Sequence, residues 1–185
     1  MTDNGRALFA RSVSRETLSL CDSYVALLLQ WNRRINLIGQ TTESQIWERH
    51  MRDSAQLRPL IPDSAEILVD LGSGAGLPGL VLALLWPGQV HLIDSSTRKG
   101  AFLREAVYRL GVADRVIVHS ERCEQVPPLR ADVVTARALA PLPKLLPLMA
   151  RHGKEGTIFL CLKGRQANEE ITAARKGWTF GIKKT

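Results

Sequence analysis

Ten consecutive residues carry the densest chemical signal in the sequence: Asp70-Leu71-Gly72-Ser73-Gly74-Ala75-Gly76-Leu77-Pro78-Gly79. They close one apolar run, Ile67 to Leu71, and open another at Leu80, while Asp94 ends the next apolar run. Glycines at such a junction let the chain turn tightly, let a ligand approach main-chain amides, and lie at the positive end of a helix. A strand, glycine loop and helix followed by an acid at the tip of the second strand make a nucleotide-cofactor crevice. Two cofactors compete for it. Gly74 to Gly79 spell the dinucleotide pattern G-x-G-x-x-G, with Asp94 placed for a ribose. The register that begins at the strand end is Asp70-x-Gly72-x-Gly74-x-Gly76, and it meets Leu77 where that pattern needs glycine. An acid-x-Gly-x-Gly-x-Gly turn suits S-adenosylmethionine better, because that cofactor carries an ammonium and a carboxylate in place of a pyrophosphate. Asp70 can then serve the amine, the loop amides the carboxylate, and Asp94 both ribose hydroxyls. The competing reading is a structural turn, with Asp94 capping the helix after Ser95 and Ser96.

In methyltransferases of this architecture the end of the fourth strand faces the target atom, and here it reads Val133-Val134-Thr135-Ala136-Arg137-Ala138. It holds no Asn-Pro-Pro-Tyr or Asp-Pro-Pro-Tyr clamp for an exocyclic amine, and no Pro-Cys pair to attack a pyrimidine. Cys21, Cys123 and Cys161 are widely spaced, with no C-x-x-C and no histidine at ligand spacing, so no metal is expected. His91, His119 and His152 have no spacing that suggests catalysis and are read as structural. Without clamp or nucleophile, the target should already own a free lone pair, as guanine N7 does. Catalysis is then positioning, worth up to ~7–11 kcal/mol in good geometry. Arg137 is placed to steady the cofactor or guanine O6.

Six segments together resemble the bacterial 16S ribosomal RNA guanine-N7 methyltransferases, also called glucose-inhibited division protein B. They are Trp31-Asn32-x-x-x-Asn36-Leu37, Arg49-His50-x-x-Asp53-Ser54, Asp70-x-Gly72-Ser73-Gly74-x-Gly76-Leu77-Pro78-Gly79, Asp94-Ser95, Arg137-Ala138-x-Ala140 and Leu162-Lys163-Gly164, spread over about Val25 to Glu170. The resemblance implies a Rossmann-like class I methyltransferase acting on small-subunit ribosomal RNA. It implies cofactor contacts at Gly72, Leu77, Cys123, Glu124 and Arg137, with Asp94 a further one, and Asp70, Gly74 and Gly76 completing the loop. It matches Arg98, Lys99 and Lys163 to basic positions suited to RNA phosphate or substrate, Lys163 sharing the catalytic assignment with Arg137. His50 and Asp53 fall near the pocket mouth, although a satisfied structural histidine is the simpler reading of His50. Family members continue past the Lys-Gly segment into further strands, so the closing antiparallel hairpin is expected to be missing or reduced here. Two other functions fit parts of the sequence: a nicotinamide-dependent oxidoreductase using Gly74 to Gly79, and a non-catalytic RNA-binding module.

These residues need a scaffold, and the apolar pattern supplies one. Leu18, Cys21, Val25, Leu28 and Ile35 recur at helical spacing, which predicts a helix over Ser14 to Ile38 with Ser14 as N-cap, and a second from Thr42 to about Leu57. Pro59 and Pro62 end this helical extension, residues 1–62. Beyond it, in the methyltransferase domain at 63–185, Ile67 to Leu71, Val90 to Ile93, Arg115 to His119, Asp132 to Thr135 and Thr157 to Leu162 read as strands. Helices are expected around Leu80 to Trp86, Arg98 to Leu110 and Leu142 to Arg151. Strands alternating with helices predict the α/β class, a mostly parallel sheet with helices on both faces. The 185 residues, 45% hydrophobic and 23% charged, exclude a largely disordered chain, and the longest apolar run, Leu80 to Trp86, falls far short of the ~20 residues of a membrane helix. No charged-then-apolar leader opens the sequence, so a cytoplasmic location is expected, and the chain is separately expected to be a monomer. The net charge of +7 attracts polyanions such as ribosomal RNA.

Overall fold

The computed structural model describes residues 4–183. Five strands, β1 (Ile67–Leu71), β2 (Gln89–Ile93), β3 (Val116–His119), β4 (Ala131–Arg137) and β5 (Gly153–Leu162), form one parallel sheet in the order β3-β2-β1-β4-β5. The chain runs outward from β1 to β3 and returns to the other side of β1 at β4, so the switch point lies between β1 and β4. Ligands of open α/β sheets bind beyond the carboxyl ends of the strands at that point. Strand side chains alternate between two cores. Leu68, Val90, Leu92 and Val133 join one apolar cluster, while Val69, Ile93 and Val134 join the other.

The first core is closed by α2 (Arg15–Asn32), α5 (Gly79–Leu85) and α6 (Thr97–Arg109), and by Phe9 of α1 (Asn4–Ala10). The second is closed by α7 (Leu142–His152) and α8 (Ala167–Ala174). The extension therefore shares its core with the sheet: Tyr24, Leu28 and Met51 pack in the same cluster as Leu68, Leu80 and Phe102.

Ser14 caps α2 by accepting from Thr17 N–H at 3.1 Å. Two predicted helices differ from those found. The first ends at Asn32, short of Ile38, because the buried Asn32 Oδ1 accepts from Leu37 N–H at 2.7 Å and Ile38 N–H at 2.9 Å and so folds the chain back. The second is not continuous: α3 (Gln40–Glu43) is followed by a π-helical turn, Trp47–Arg52, and then by α4 (Asp53–Ala55). The π turn buries Trp47, His50 and Met51 together. α1 and α8, at 7 and 8 residues, are too short to give a periodic signal in the sequence. After α8 no described residue joins the sheet, and β5 is left as an edge. Among the described residues no helix is long and apolar enough to cross a membrane.

Candidate functional site

The glycine loop leaves β1 at the switch point with Gly72, Gly74 and Gly76 at φ of 68, 55 and 85°. Side chains rarely adopt that region, and at Gly72 an added Cβ would also stand 2.7 Å from Leu139 Cδ1. The loop is pinned by main-chain contacts: Ser73 N–H to Ile93 O at 3.0 Å and Gly76 N–H to Ser73 O at 2.7 Å. Three side chains complete its anchorage. The fully buried Tyr24 of α2 donates its hydroxyl to Ala75 O at 2.5 Å, so the extension holds the loop from beneath. Asp94, just past β2, accepts from Gly74 N–H at 2.9 Å through Oδ2 and from Ser96 N–H at 2.8 Å through Oδ1. Ser96 is the N-cap of α6, so Asp94 bridges the two loops and does not cap the helix itself.

Asp70 is the third anchor, and its placement corrects an expectation. The carboxylate is 0% exposed; Thr135 Oγ1 donates to Oδ1 at 2.7 Å and Gly79 N–H to Oδ2 at 3.2 Å. It faces inward beneath the loop, where it has no open side for a ligand's ammonium. Burial lifts its pKa to about 6 against the hydrogen bonds from Thr135, Ser73 and Gly79.

Around the loop's open side the structure gathers Lys99 and Cys123. A Cβ built on Gly74 would lie 3.9 Å from Asp94 Oδ2 and 4.0 Å from Lys99 Nζ, so a carboxylate and an ammonium stand over the same glycine. Lys99 therefore belongs to the loop, whereas Arg98 beside it is exposed. Cys123, in the β3–β4 connection, is buried; burial foremost pushes its thiol up to about 11, and the Gly72 amide beside the sulfur pulls it partway back. Burial also holds Cys161 near about 11 and Cys21 near about 12. Burial thus disfavours the thiolate of all three at neutral pH, and with it their nucleophilicity. Glu124, next to Cys123 in the chain, is exposed, and Leu77 is buried just before α5.

Arg137 ends β4 across from Asp70. Its Nη1 lies 2.9 Å from Nδ1 of His50 in the π turn; burial lowers its pKa, and the carboxylates of Asp70 and Asp53 oppose that shift in part. Burial, then Arg137 and Arg49, lower the His50 pKa to about 4, so the ring is neutral at physiological pH. Sequence reasoning left Tyr24 out of the site, and it placed Arg137 in the site and His50 near the pocket mouth without joining them. Tyr24 sits on a helix face that reads as core, and the pair joins residues 87 positions apart.

Lys163 is a second correction. Its ammonium donates to Ala140 O at 2.6 Å and pairs with Glu170 at 2.8 Å, with only 15% of its side chain exposed. Glu170 also accepts from Leu142 N–H at 2.7 Å. Lys163 thus ties the Arg137–Pro141 loop to β5 and α8 and presents no free charge to RNA. His91 and His119, unlinked by spacing, are joined across β2 and β3 with ring nitrogens 2.9 Å apart, and His152 bonds Cys123 O at 2.9 Å.

Comparison with known proteins bears on fold and family. The O-methyltransferase of Bacillus cereus in complex with SAH superposes with a TM-score of 0.58 at 16% identity, over 83% of this chain and 77% of that one, a likeness of fold. The small-subunit methyltransferase G proteins of Rhodospirillum centenum and Paramagnetospirillum magneticum are 51% and 55% identical, over 95% and 91% of this chain and 80% and 81% of theirs. The GidB family model, described as rRNA small subunit methyltransferase G, matches residues 17–185, and with the glycine loop, Asp94 and Arg137 in place at the switch point, the chain belongs to that family.

Proposed function

We propose that the chain transfers the methyl group of S-adenosylmethionine to N7 of a guanine in small-subunit ribosomal RNA. The observation that carries this reading is the juxtaposition of Asp94 and Lys99 over Gly74 at the switch point, in a chain of this family. The residues fit a zwitterionic nucleoside. The Lys99 ammonium suits its carboxylate, the lone pairs Asp94 has left suit its ribose hydroxyls, and Gly72, Gly74, Gly76 and Leu77 supply a wall without bulky polar groups. Cys123 and Glu124 flank the crevice where an adenine amino group would be read. When bound, the cofactor supplies a methyl group on a sulfonium, ready for in-line displacement by a lone pair.

Thr135, Ala136, Arg137 and Ala138 provide neither a base nor an amine clamp at the end of β4. Guanine N7 needs neither, since no proton leaves before it attacks, and the positive charge lost by sulfur passes to the purine. The protein's work is alignment. Arg137 has donors beyond the one spent on His50, and a donor toward guanine O6 would orient the base while leaving N7 free. The exposed Arg98, Arg33 and Arg34 are suited to the RNA backbone, with no side chain committed to reading sequence. A monomer in the cytoplasm working without a metal is the form consistent with this reading.

The test is transfer of labelled methyl from S-adenosylmethionine to undermethylated small-subunit RNA, naked and in particles, with the modified base mapped. Label on N7 of one guanine is expected. Label on a ring carbon or exocyclic amine overturns the N7 assignment. Salt-dependent RNA binding without transfer would mark a binding module, and saturable nicotinamide binding without S-adenosylmethionine binding an oxidoreductase.

A further inference from the structure

His50 has a place in the site that its spacing in the sequence did not assign. Nδ1 is 2.9 Å from Arg137 Nη1, and Nε2 is 2.9 Å from Thr42 Oγ1. A guanidinium can only donate, so Nδ1 must carry the lone pair. At the other end, the Thr42 hydroxyl donates its proton to Gly39 O at 2.8 Å, so it must accept from Nε2–H. Both ends demand one tautomer, and each demand is independent of the other. The residue as a whole is 9% exposed, and Ser54 Oγ donates to its main-chain carbonyl at 2.7 Å, which ties down the backbone of the π turn that carries the ring. Extra-wide helical turns of this kind re-aim a side chain that a regular helix would point elsewhere.

We propose that His50 is a positioning residue for methyl transfer: its neutral Nε2–H tautomer, set by Thr42 and Gly39, holds the Arg137 guanidinium in the orientation that the reaction uses. This deepens the methyl-transfer reading of the site and rests on it. The relay runs Gly39 O, Thr42 hydroxyl, His50 ring, Arg137, and joins the α3 cap of the extension to the end of β4. His50 acts through Arg137 and moves no proton. The lowered pKa of the ring, from burial and then Arg137 and Arg49, is consistent with this, because an imidazolium could accept nothing from a guanidinium.

Two measurements test it separately from the reading on which it rests. In ¹⁵N-NMR spectra of the whole chain, the His50 ring should show an unprotonated Nδ1 and a protonated Nε2 across pH 5.5–8. A protonated Nδ1 at neutral pH overturns the proposal whether or not the protein transfers methyl groups. The second measurement compares H50N, whose side-chain oxygen takes the place of Nδ1, with H50Q, whose amide takes the place of Nε2. A positioning error of ~1 Å costs about 10²-fold in rate. H50Q should lose at least about tenfold in kcat with the KM for RNA little changed, and H50N should recover most of that loss, at similar thermal stability. Equal losses, or recovery by Gln in place of Asn, overturn it. If wild-type protein transfers no methyl group while the NMR result holds, the reading of the reaction fails and the tautomer lock stands.

Discussion

Thr135→Val is the sharpest probe of how the glycine loop is anchored. The substitution keeps the shape of a fully buried side chain and removes one donor, the hydroxyl 2.7 Å from Asp70 Oδ1. Burial has already raised the Asp70 pKa to about 6, and among the contacts that restrain the rise Thr135 is the largest. At pH 8 the folded protein holds an ionised carboxylate, and loss of a hydrogen bond to a charged group costs about 1.5–3 kcal/mol. At pH 5 the carboxyl is largely protonated, and loss of a neutral hydrogen bond costs about 0.5–1.5 kcal/mol. The sign follows from linkage. A carboxyl whose folded pKa lies above its unfolded value contributes stability below about pH 4 that is lost as pH rises through about 6, and Thr135→Val deepens that loss by raising the folded pKa further. For a domain of this size each kcal/mol shifts the melting temperature by about 2–4 °C. Calorimetry of both proteins should give a drop of about 3–12 °C at pH 8 and a smaller one of about 1–6 °C at pH 5, the histidine titrations cancelling between them. An equal drop at the two pH values, or a larger one at pH 5, refutes the claim that Thr135 supports an ionised Asp70.

Four further outcomes are expected. Tyr24→Phe strands the buried Ala75 carbonyl, costs about 1–3 kcal/mol and speeds hydrogen exchange at residues 74–76; unchanged exchange there would show that the extension does not hold the loop. Gly72→Ala combines a φ of 68° with a contact 2.7 Å from Leu139, so it should cost at least about 1–2 kcal/mol and abolish S-adenosylmethionine binding in a calorimetric titration; a stable variant that binds normally would contradict the loop geometry. Burial lowers His50 and His91 to about 4 and lowers His119 and His152 as well, so the unfolded chain takes up protons first and stability falls as pH drops from about 6.5 through about 4, with Asp70 offsetting part of the fall; a urea midpoint that stays flat between pH 7 and pH 4.5 would speak against it. Lys163→Met should lower the melting temperature and leave the slope of log RNA affinity against log salt unchanged, whereas a slope smaller by about 1 would return Lys163 to the RNA interface.

Local pattern was enough for the scaffold and for half of the crevice. The apolar runs at 67–71 and 90–93 are strands because residues buried on both faces of a parallel sheet leave no polar alternation, and the glycines between 72 and 76 read as a loop because their backbone angles exclude side chains. Asp94 follows from its position after a strand, within the same local unit. The rest of the site depends on side chains that meet across the chain: Tyr24 with Ala75, 51 positions on; Asp70 with Thr135, 65 positions on; His50 with Arg137, 87 positions on. No periodicity encodes such meetings, because they arise where the extension crosses the sheet and where β4 returns beside β1. Lys163 shows the same limit from the other side. Its type and place read as a free cation for RNA, and only the packed structure reveals that Ala140 and Glu170 have already taken its charge. Residue type and spacing determine which groups are available, while the tertiary fold decides which of them are spent internally, because a buried donor or acceptor must find its partner wherever the chain brings one.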